Sequence, residues 1–244
     1  MKLNRCYCCV ISGAIIIAGC VKTSTPPGTS SLTIVNAMNG SSFLLTDFTP
    51  LNGKGIPVDQ LEYYINAAEI YYSNALEEAR GGETSISLYN YPDTSRSFFA
   101  GTFDLGVGKA YSLFICGDTL NTDTLFTKDS IPYYPYSGDS VVGVRFVNLA
   151  QNSMQISVNI QGDSLRTNGF SNLYYRDLSS FKSYPATSSI PGYYIFEIRN
   201  QSTDSILSTY TWYYDLFKSQ TIVIAGSEDP ASNFPINVWQ YNNF

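Results

Sequence analysis

Histidine is missing from the 244-residue chain. A serine triad of the usual kind needs an imidazole to take the nucleophile's proton, so that chemistry is excluded. A zinc centre built on histidine, or on several cysteines, is excluded with it. Cysteine is scarce and badly placed for cross-links. Cys6, Cys8 and Cys9 crowd the start, Cys20 follows, and Cys116 stands alone in the body. A body with one thiol forms no internal disulfide and must rest on its apolar core, for which 44% hydrophobic residues suffice. Basic residues are few, 14 against 20 acidic. An acidic chain with few basic clusters argues against nucleic acid, and against electrostatic attachment to anionic membranes. Beyond residue 20 no apolar run is long enough to cross a bilayer as a helix.

What is present begins with an export leader. Lys2 and Arg5 supply a short positive region, and the apolar run Cys8–Ile17 follows. That run is too short for a lone membrane-spanning helix and has signal-peptide flanks. It ends in Ile17-Ala18-Gly19-Cys20, which resembles the lipobox of bacterial lipoproteins. Small side chains let the backbone enter a narrow peptidase site, and the thiol carries the diacylglycerol. The resemblance implies cleavage after residue 19, lipidation of Cys20, and a membrane partner held through acyl chains, which anchor far more firmly in combination than singly. Residues 20–30, rich in Thr, Ser, Pro and Gly, read as a flexible, partly polyproline tether. Lys2 and Arg5 leave with the leader, so 12 basic residues then face 20 acidic ones.

The body is rich in β-formers: aromatics make up 15%, tyrosine alone numbers 20, and Ser and Thr are abundant. It also repeats itself. Ile34–Ala37 matches Phe146–Leu149, Leu61–Asn66 resembles Ile156–Gln161, Gly82–Asn90 matches Gly192–Asn200, and Tyr111–Gly117 matches Gln220–Gly226. Three of the four offsets agree closely. The odd one is assigned to an insertion at Phe43–Val58. Near-constant spacing indicates a duplicated domain. Short alternating or β-branched segments between Gly, Asn, Asp and Ser turns predict an all-β protein of two tandem immunoglobulin-like antiparallel β-sandwiches, at 31–132 and 141–244, joined by a linker at 133–140. The stretch 118–125 reads as a tight hairpin. Ala67–Ala79 has rough helical spacing and is left as a short helix or a loop.

Val144–Ala150, the strand ending near Gly162, Pro191–Arg199 and the strand ending in Ala225-Gly226 together resemble the domain-of-unknown-function family numbered 4397, found in exported bacterial proteins and often in tandem. The resemblance covers most of 141–244 and, more weakly, 31–130, where Arg80-Gly81-Gly82 replaces the usual Pro-Gly. It implies an immunoglobulin-like sandwich and export. No catalytic residues are known for the family, so none carry over.

Other motifs are weighed on their residues. Glycosidase chemistry needs two carboxylates in a cleft; Glu62, Glu77, Glu78 and Glu197 are candidates, but their spacing marks no pair. Asp118, Asp123 and Asp129 lack the dense loop pattern of a calcium site and read as turn caps. Cys116 pairs with Ala225 in the repeat and reads as a buried space-filler. Asp-Ser/Thr-aliphatic recurs six times among 13 Asp residues. It resembles the O-glycosylation sequon of some Gram-negative envelope proteins, and Thr119, Thr124, Ser130, Ser140, Ser164 and Ser205 are the candidate sites. Turn-building Asp and Ser before a strand explain part of the same pattern. Adjacent tyrosines recur at 63–64, 71–72, 133–134, 174–175, 193–194 and 213–214. In a strand, neighbours point to opposite faces, so one ring of each pair should face out. Tyr174, Tyr193 and Tyr213, with Trp212 and Trp239, form the candidate aromatic binding surface. These features describe a non-enzymatic envelope lipoprotein, at the outer membrane, that binds a protein or glycan. The alternatives are a structural accessory of an envelope complex and a carboxylate-based hydrolase. No catalytic residue, metal or cofactor is expected.

Overall fold

Branched and aromatic side chains fill a pleated surface better than a helical one. The computed structural model accordingly contains strands and no helix over the residues it describes, which are 28–40, 43–48, 64–66, 74–90, 95, 97, 99–134, 140–186, 192–229 and 231–243. The leader, Cys20 and the tether up to residue 27 lie outside them.

The first unit holds β1 (Thr29–Asn36), β2 (Phe43–Asp47), β3 (Tyr64–Asn66), β4 (Asn74–Arg80), β5 (Gly82–Asn90), β6 (Phe99–Leu105), β7 (Ala110–Gly117) and β8 (Thr122–Asp129). One sheet runs β4-β1-β7-β8 and the other β3-β2-β5-β6. The second unit holds β9 (Val141–Asn148), β10 (Ile156–Ile160), β11 (Phe170–Leu173), β12 (Asp177–Leu178), β13 (Lys182–Pro185), β14 (Tyr193–Asn200), β15 (Ile206–Tyr213), β16 (Ser219–Ala225) and β17 (Asn237–Asn242). Its sheets run β12-β9-β16-β17, with β13 also on β9, and β11-β10-β14-β15. Each unit has one parallel pair, β1 with β7 and β9 with β16. The two units are therefore copies of one topology.

Register corrects two expectations. Leu44 pairs with Asn90, and Ile156 with Asn200, so β2 is the counterpart of β10. Leu44 and Ile156 are 112 positions apart, as are β1 and β9. Phe43–Asp47 is thus not an insertion, and Leu61–Asn66 is not the partner of Ile156–Gln161; β3, within it, takes the place of β11. Short alternating segments look alike whichever strand they form, so similarity alone mismatched them. In Ala67–Ala79, residues from Asn74 onward are strand β4, held by antiparallel pairing to β1, and 67–73 lie outside the described residues. Tertiary pairing overrides weak helical spacing there. β1 begins at Thr29, opposite Arg80, so the last residues expected in the tether belong to the sheet.

β1, β7, β9 and β16 are buried on both faces and lose polar alternation. One face of each looks into its own sandwich. Leu32, Ile34, Leu113 and Ile115 meet Leu44, Ile86 and Leu88 in the first core. Val144, Phe146, Ile222 and Ile224 meet Ile156, Phe196, Ile198 and Trp212 in the second. The opposite faces meet each other. Val35, Ala37, Phe114 and Cys116 pack on Val147, Leu149, Val223, Ala225, Trp239 and Tyr241 as a third cluster. The described residues form a stack of four sheets, and the two inner ones join the units.

The hairpin at 118–125 forms as expected. Gly117 lies opposite Thr122, and the Leu120 and Asn121 amides donate to Asp118 Oδ1, each at 2.8 Å. Gly117 has φ of 84° and Gly226, its counterpart, 97°. A Cβ at either would collide with a backbone oxygen, of Asn121 and Pro235 respectively, so only glycine fits.

Candidate functional site

The seam between the inner sheets is polar at one end. Arg145 Nη1 of β9 lies 2.8 Å from Asp129 Oδ1 at the end of β8, with both side chains under 5% exposed. Ser112 Oγ donates to Asp129 Oδ2 at 2.7 Å, Arg145 Nε donates to Thr221 Oγ1 at 2.8 Å, and the guanidinium lies over the Phe181 ring. A buried pair this well bonded resists separation, because removing one partner strands the other charge. Further along the seam, Tyr175 donates to Cys116 Sγ at 3.5 Å and to Asp123 Oδ2 at 3.1 Å, and Arg176 pairs with Asp123. Burial pushes the Cys116 thiol up to about 11, the carboxylate of Asp123 adding to the effect and the Tyr175 hydrogen bond opposing it. A thiol so held is a poor nucleophile, as its space-filling role predicts. The Tyr175 hydroxyl is also pushed up, first by burial and then by Cys116 and Asp123.

The six Asp-Ser/Thr-aliphatic motifs occupy unlike places. Thr119, Ser130, Ser164 and Ser205 are exposed, whereas Thr124 and Ser140 are half-buried. Asp118 caps its hairpin, Asp163 accepts from Asn168, and Asp204 binds Arg166. Asp123 and Asp129 are not turn caps: they hold the seam, a role that no pattern of residues announces. Asp118, Asp123 and Asp129 do not converge, and among the described residues no acidic or cysteine cluster could hold a metal ion. Glu197 faces Arg199, at 2.7 Å, rather than a second carboxylate. Glu62 lies outside the described residues, and Glu77 and Glu78 are on β4.

The candidate aromatic surface is partly corrected. Trp212 is wholly buried in the second core, where its Nε1 donates to Gln220 Oε1 at 2.6 Å. Trp239 is buried in the seam. Trp212 points away from the face that Tyr213 occupies, because successive strand residues point opposite ways and an indole buries more apolar area inward, and Trp239 shares the seam face of β17 with Tyr241. The tyrosine expectation holds where it is described: Tyr133, Tyr174, Tyr193 and Tyr213 are exposed, and Tyr134, Tyr175, Tyr194 and Tyr214 turn inward. Tyr193 and Tyr213 lie directly across from each other on β14 and β15, ring centroids 5.7 Å apart and planes tilted by 54°. They are 39% and 66% exposed. Next on the same face come Ile195 with Thr211, then Glu197 with Thr209. Tyr174 sits apart, in the turn between β11 and β12.

No family model matches the chain, and no curated protein is significantly similar. The likenesses are structural and faint. The chain is similar to a family 26 carbohydrate-binding module from Eubacterium rectale, crystallised with maltoheptaose, at 8% identity over 88% of this chain and 97% of that one, with a TM-score of 0.27. It is similar to a candidate adhesin from Bacteroides ovatus at 10% identity over 92% and 97%, with a TM-score of 0.23. A candidate cell adhesion protein, also from Bacteroides ovatus, gives 10% over 88% and 95%, with a TM-score of 0.16. Scores this low carry no argument about the site.

Proposed function

We propose that this chain is a non-enzymatic cell-envelope lipoprotein, held through Cys20, whose second sandwich binds a glycan on the Tyr193–Tyr213 face. The resemblance to the 4397 family and the leader support export and anchoring. The observation that carries the binding reading is the exposed cross-strand tyrosine pair. Burying aromatic area is favourable, so a protein that leaves two neighbouring rings in water forgoes stabilisation that a ligand can recover. Sugar rings stack on such faces, and Thr209 and Thr211 place hydroxyls beside them for hydrogen bonds. The ion pair at Glu197 and the lack of any imidazole support a role without catalysis.

Affinity electrophoresis through gels cast with neutral polysaccharides tests it. Wild-type chain should be retarded in at least one gel, and Tyr193→Ala/Tyr213→Ala should run as in a polysaccharide-free gel. Equal retardation of both would remove the tyrosine face from the function.

A further inference from the structure

Contacts at both ends of the seam fix how the units face. Ser112, early in β7, meets Tyr241, late in β17, at 3.3 Å. Asn39, just past β1, meets Gln151, just past β9, at 3.4 Å. β1 and β9 therefore run in the same sense, and both units turn the same end the same way. The start of β1 and both ends of the segment joining the units lie at one end. The turns that follow β1, β7, β9 and β16 lie at the other.

Those turns form one continuous surface. Asn39 Nδ2 donates to Gln151 Oε1, and Gln151 Nε2 donates to Asp118 Oδ2 at 3.2 Å. The Gln151 amide donates to the Gly226 carbonyl, the Ser227 amide to the Phe234 carbonyl, and the Met154 amide to Glu228. Any side chain at Gly40 would touch the Phe234 ring. On this surface Leu120 is 91% exposed, Met154 60% and Phe234 43%. They come from turns of both units. Among them stand Asp118, Glu228 and Asp229, whose described partners are all neutral: backbone amides, Gln151 and Asn200. Arg166 and Arg176 are already paired, with Asp204 and Asp123.

We infer that this end is a protein-docking surface, shared by the two units, for a polypeptide segment that presents arginine or lysine beside apolar side chains. Charge complementarity selects the cation, since three carboxylates here have no counter-charge among the described residues. Exposed leucine and methionine select apolar side chains rather than a sugar, which prefers flat rings and hydrogen-bonding groups. Loops displayed on a rigid scaffold are the usual carriers of recognition, and the doubly buried inner strands supply that scaffold. The site is separate from the tyrosine pair, because β14 begins and β15 ends at the opposite end. Anchoring through Cys20, which rests on the proposal above, would turn this end away from the membrane.

The test titrates three short synthetic peptides, alternating Arg/Leu, Glu/Leu and Arg/Ser, into the isotope-labelled full chain and follows amide shifts. The Arg/Leu peptide should move amides in 118–121, 151–154 and 227–234, Arg/Ser should bind more weakly, and Glu/Leu should not bind. Asp118→Asn/Glu228→Gln/Asp229→Asn removes the three charges and leaves one carbonyl oxygen at each position, enough for the backbone amides of the turns though not for the side-chain amides of Gln151 and Asn200 as well, and should weaken Arg/Leu binding about tenfold while amide shifts outside these turns stay in place. Leu120→Ser and Met154→Ser should each weaken it severalfold, and Tyr193→Ala/Tyr213→Ala should leave it unchanged. Equal binding of Glu/Leu, shifts centred on Tyr193 and Tyr213, or an unaffected triple variant would overturn the inference. A loss confined to one unit's variant would overturn its composite character.

Discussion

The two units share a scaffold and differ by face. Where they meet, counterparts match in kind: Val35 with Val147, Cys116 with Ala225, Gly117 with Gly226. On the outer sheets, counterparts diverge. Ile86 and Phe196 occupy equivalent core positions, which makes Glu83 the counterpart of Tyr193 and Asp104, directly across from Glu83, the counterpart of Tyr213. One unit presents a tyrosine pair where the other presents two carboxylates. The inner faces are constrained by having to fit each other, and the outer faces are not. The outer sheets are therefore free to carry different chemistry on a shared frame.

The sharpest way to break the likeness of the inner faces is to strip the seam of its ion pair. Asp129→Ala leaves the Arg145 guanidinium buried and uncompensated, at a cost of about 3–5 kcal/mol. Because the two partners belong to different units, the loss uncouples them. Urea unfolding followed by tryptophan fluorescence, which reports the second unit and the seam through Trp212 and Trp239, and by circular dichroism should then give separate midpoints where the wild type gives one. Asp129→Leu/Arg145→Met should recover most of the loss, since an apolar pair of similar size avoids the desolvation cost. A cost near zero for Asp129→Ala would show that packing alone joins the units.

The thiol at the seam distinguishes the units by pH. Cys116 is held at about 11 against an ordinary 9.0. The folded protein keeps its proton to higher pH than the unfolded chain, so between pH 9 and 11 the unfolded state binds fewer protons. Stability is then fully present below pH 9 and falls as pH rises through that window, by on the order of 2 kcal/mol. Burial likewise pushes Tyr210, in the second unit, up to about 12, which extends the fall above pH 10. Cys116→Ala gives the first unit the residue of the second at this position and should flatten the curve between pH 9 and 11 only. An unchanged urea midpoint profile would mean that the thiol is open to solvent during titration.

Much of this was legible in the chain before its structure. Ile34–Ala37 with Phe146–Leu149, and Tyr111–Gly117 with Gln220–Gly226, are strands of the seam, and they matched because each is packed on both faces and tolerates few residue types. Alternation told that one tyrosine of each pair turns outward. It failed for Trp212 and Trp239, because periodicity assigns relative faces and only packing decides which face is buried. The seam itself left no pattern: Arg145 and Asp129 are isolated charges in the sequence, and their pairing depends on how two sheets stack. The docking end was equally hidden, because Leu120, Met154 and Phe234 converge only when two units face the same way.

The smallest effect probes the divergent outer faces directly. Like charges directly across a sheet repel, whereas an aromatic pair attracts, each by about 0.2–1 kcal/mol. Tyr193→Glu/Tyr213→Asp should therefore destabilise the second unit by about 1 kcal/mol, the sum of a lost ring contact and a new repulsion. Glu83→Tyr/Asp104→Tyr should stabilise the first by a similar amount. Thermal melts at low and raised salt separate the two contributions, because screening weakens the carboxylate repulsion and leaves the ring contact in place. Both residues of each pair are exposed, so neither exchange opens a cavity or strands a buried group, and the expected shifts are symmetrical. An exchange that stabilised one unit without destabilising the other would mean that the two outer sheets differ in backbone geometry as well as in side chains. If both shifts appear, the frame is the same, and the difference between the units is a choice of side chains displayed on it.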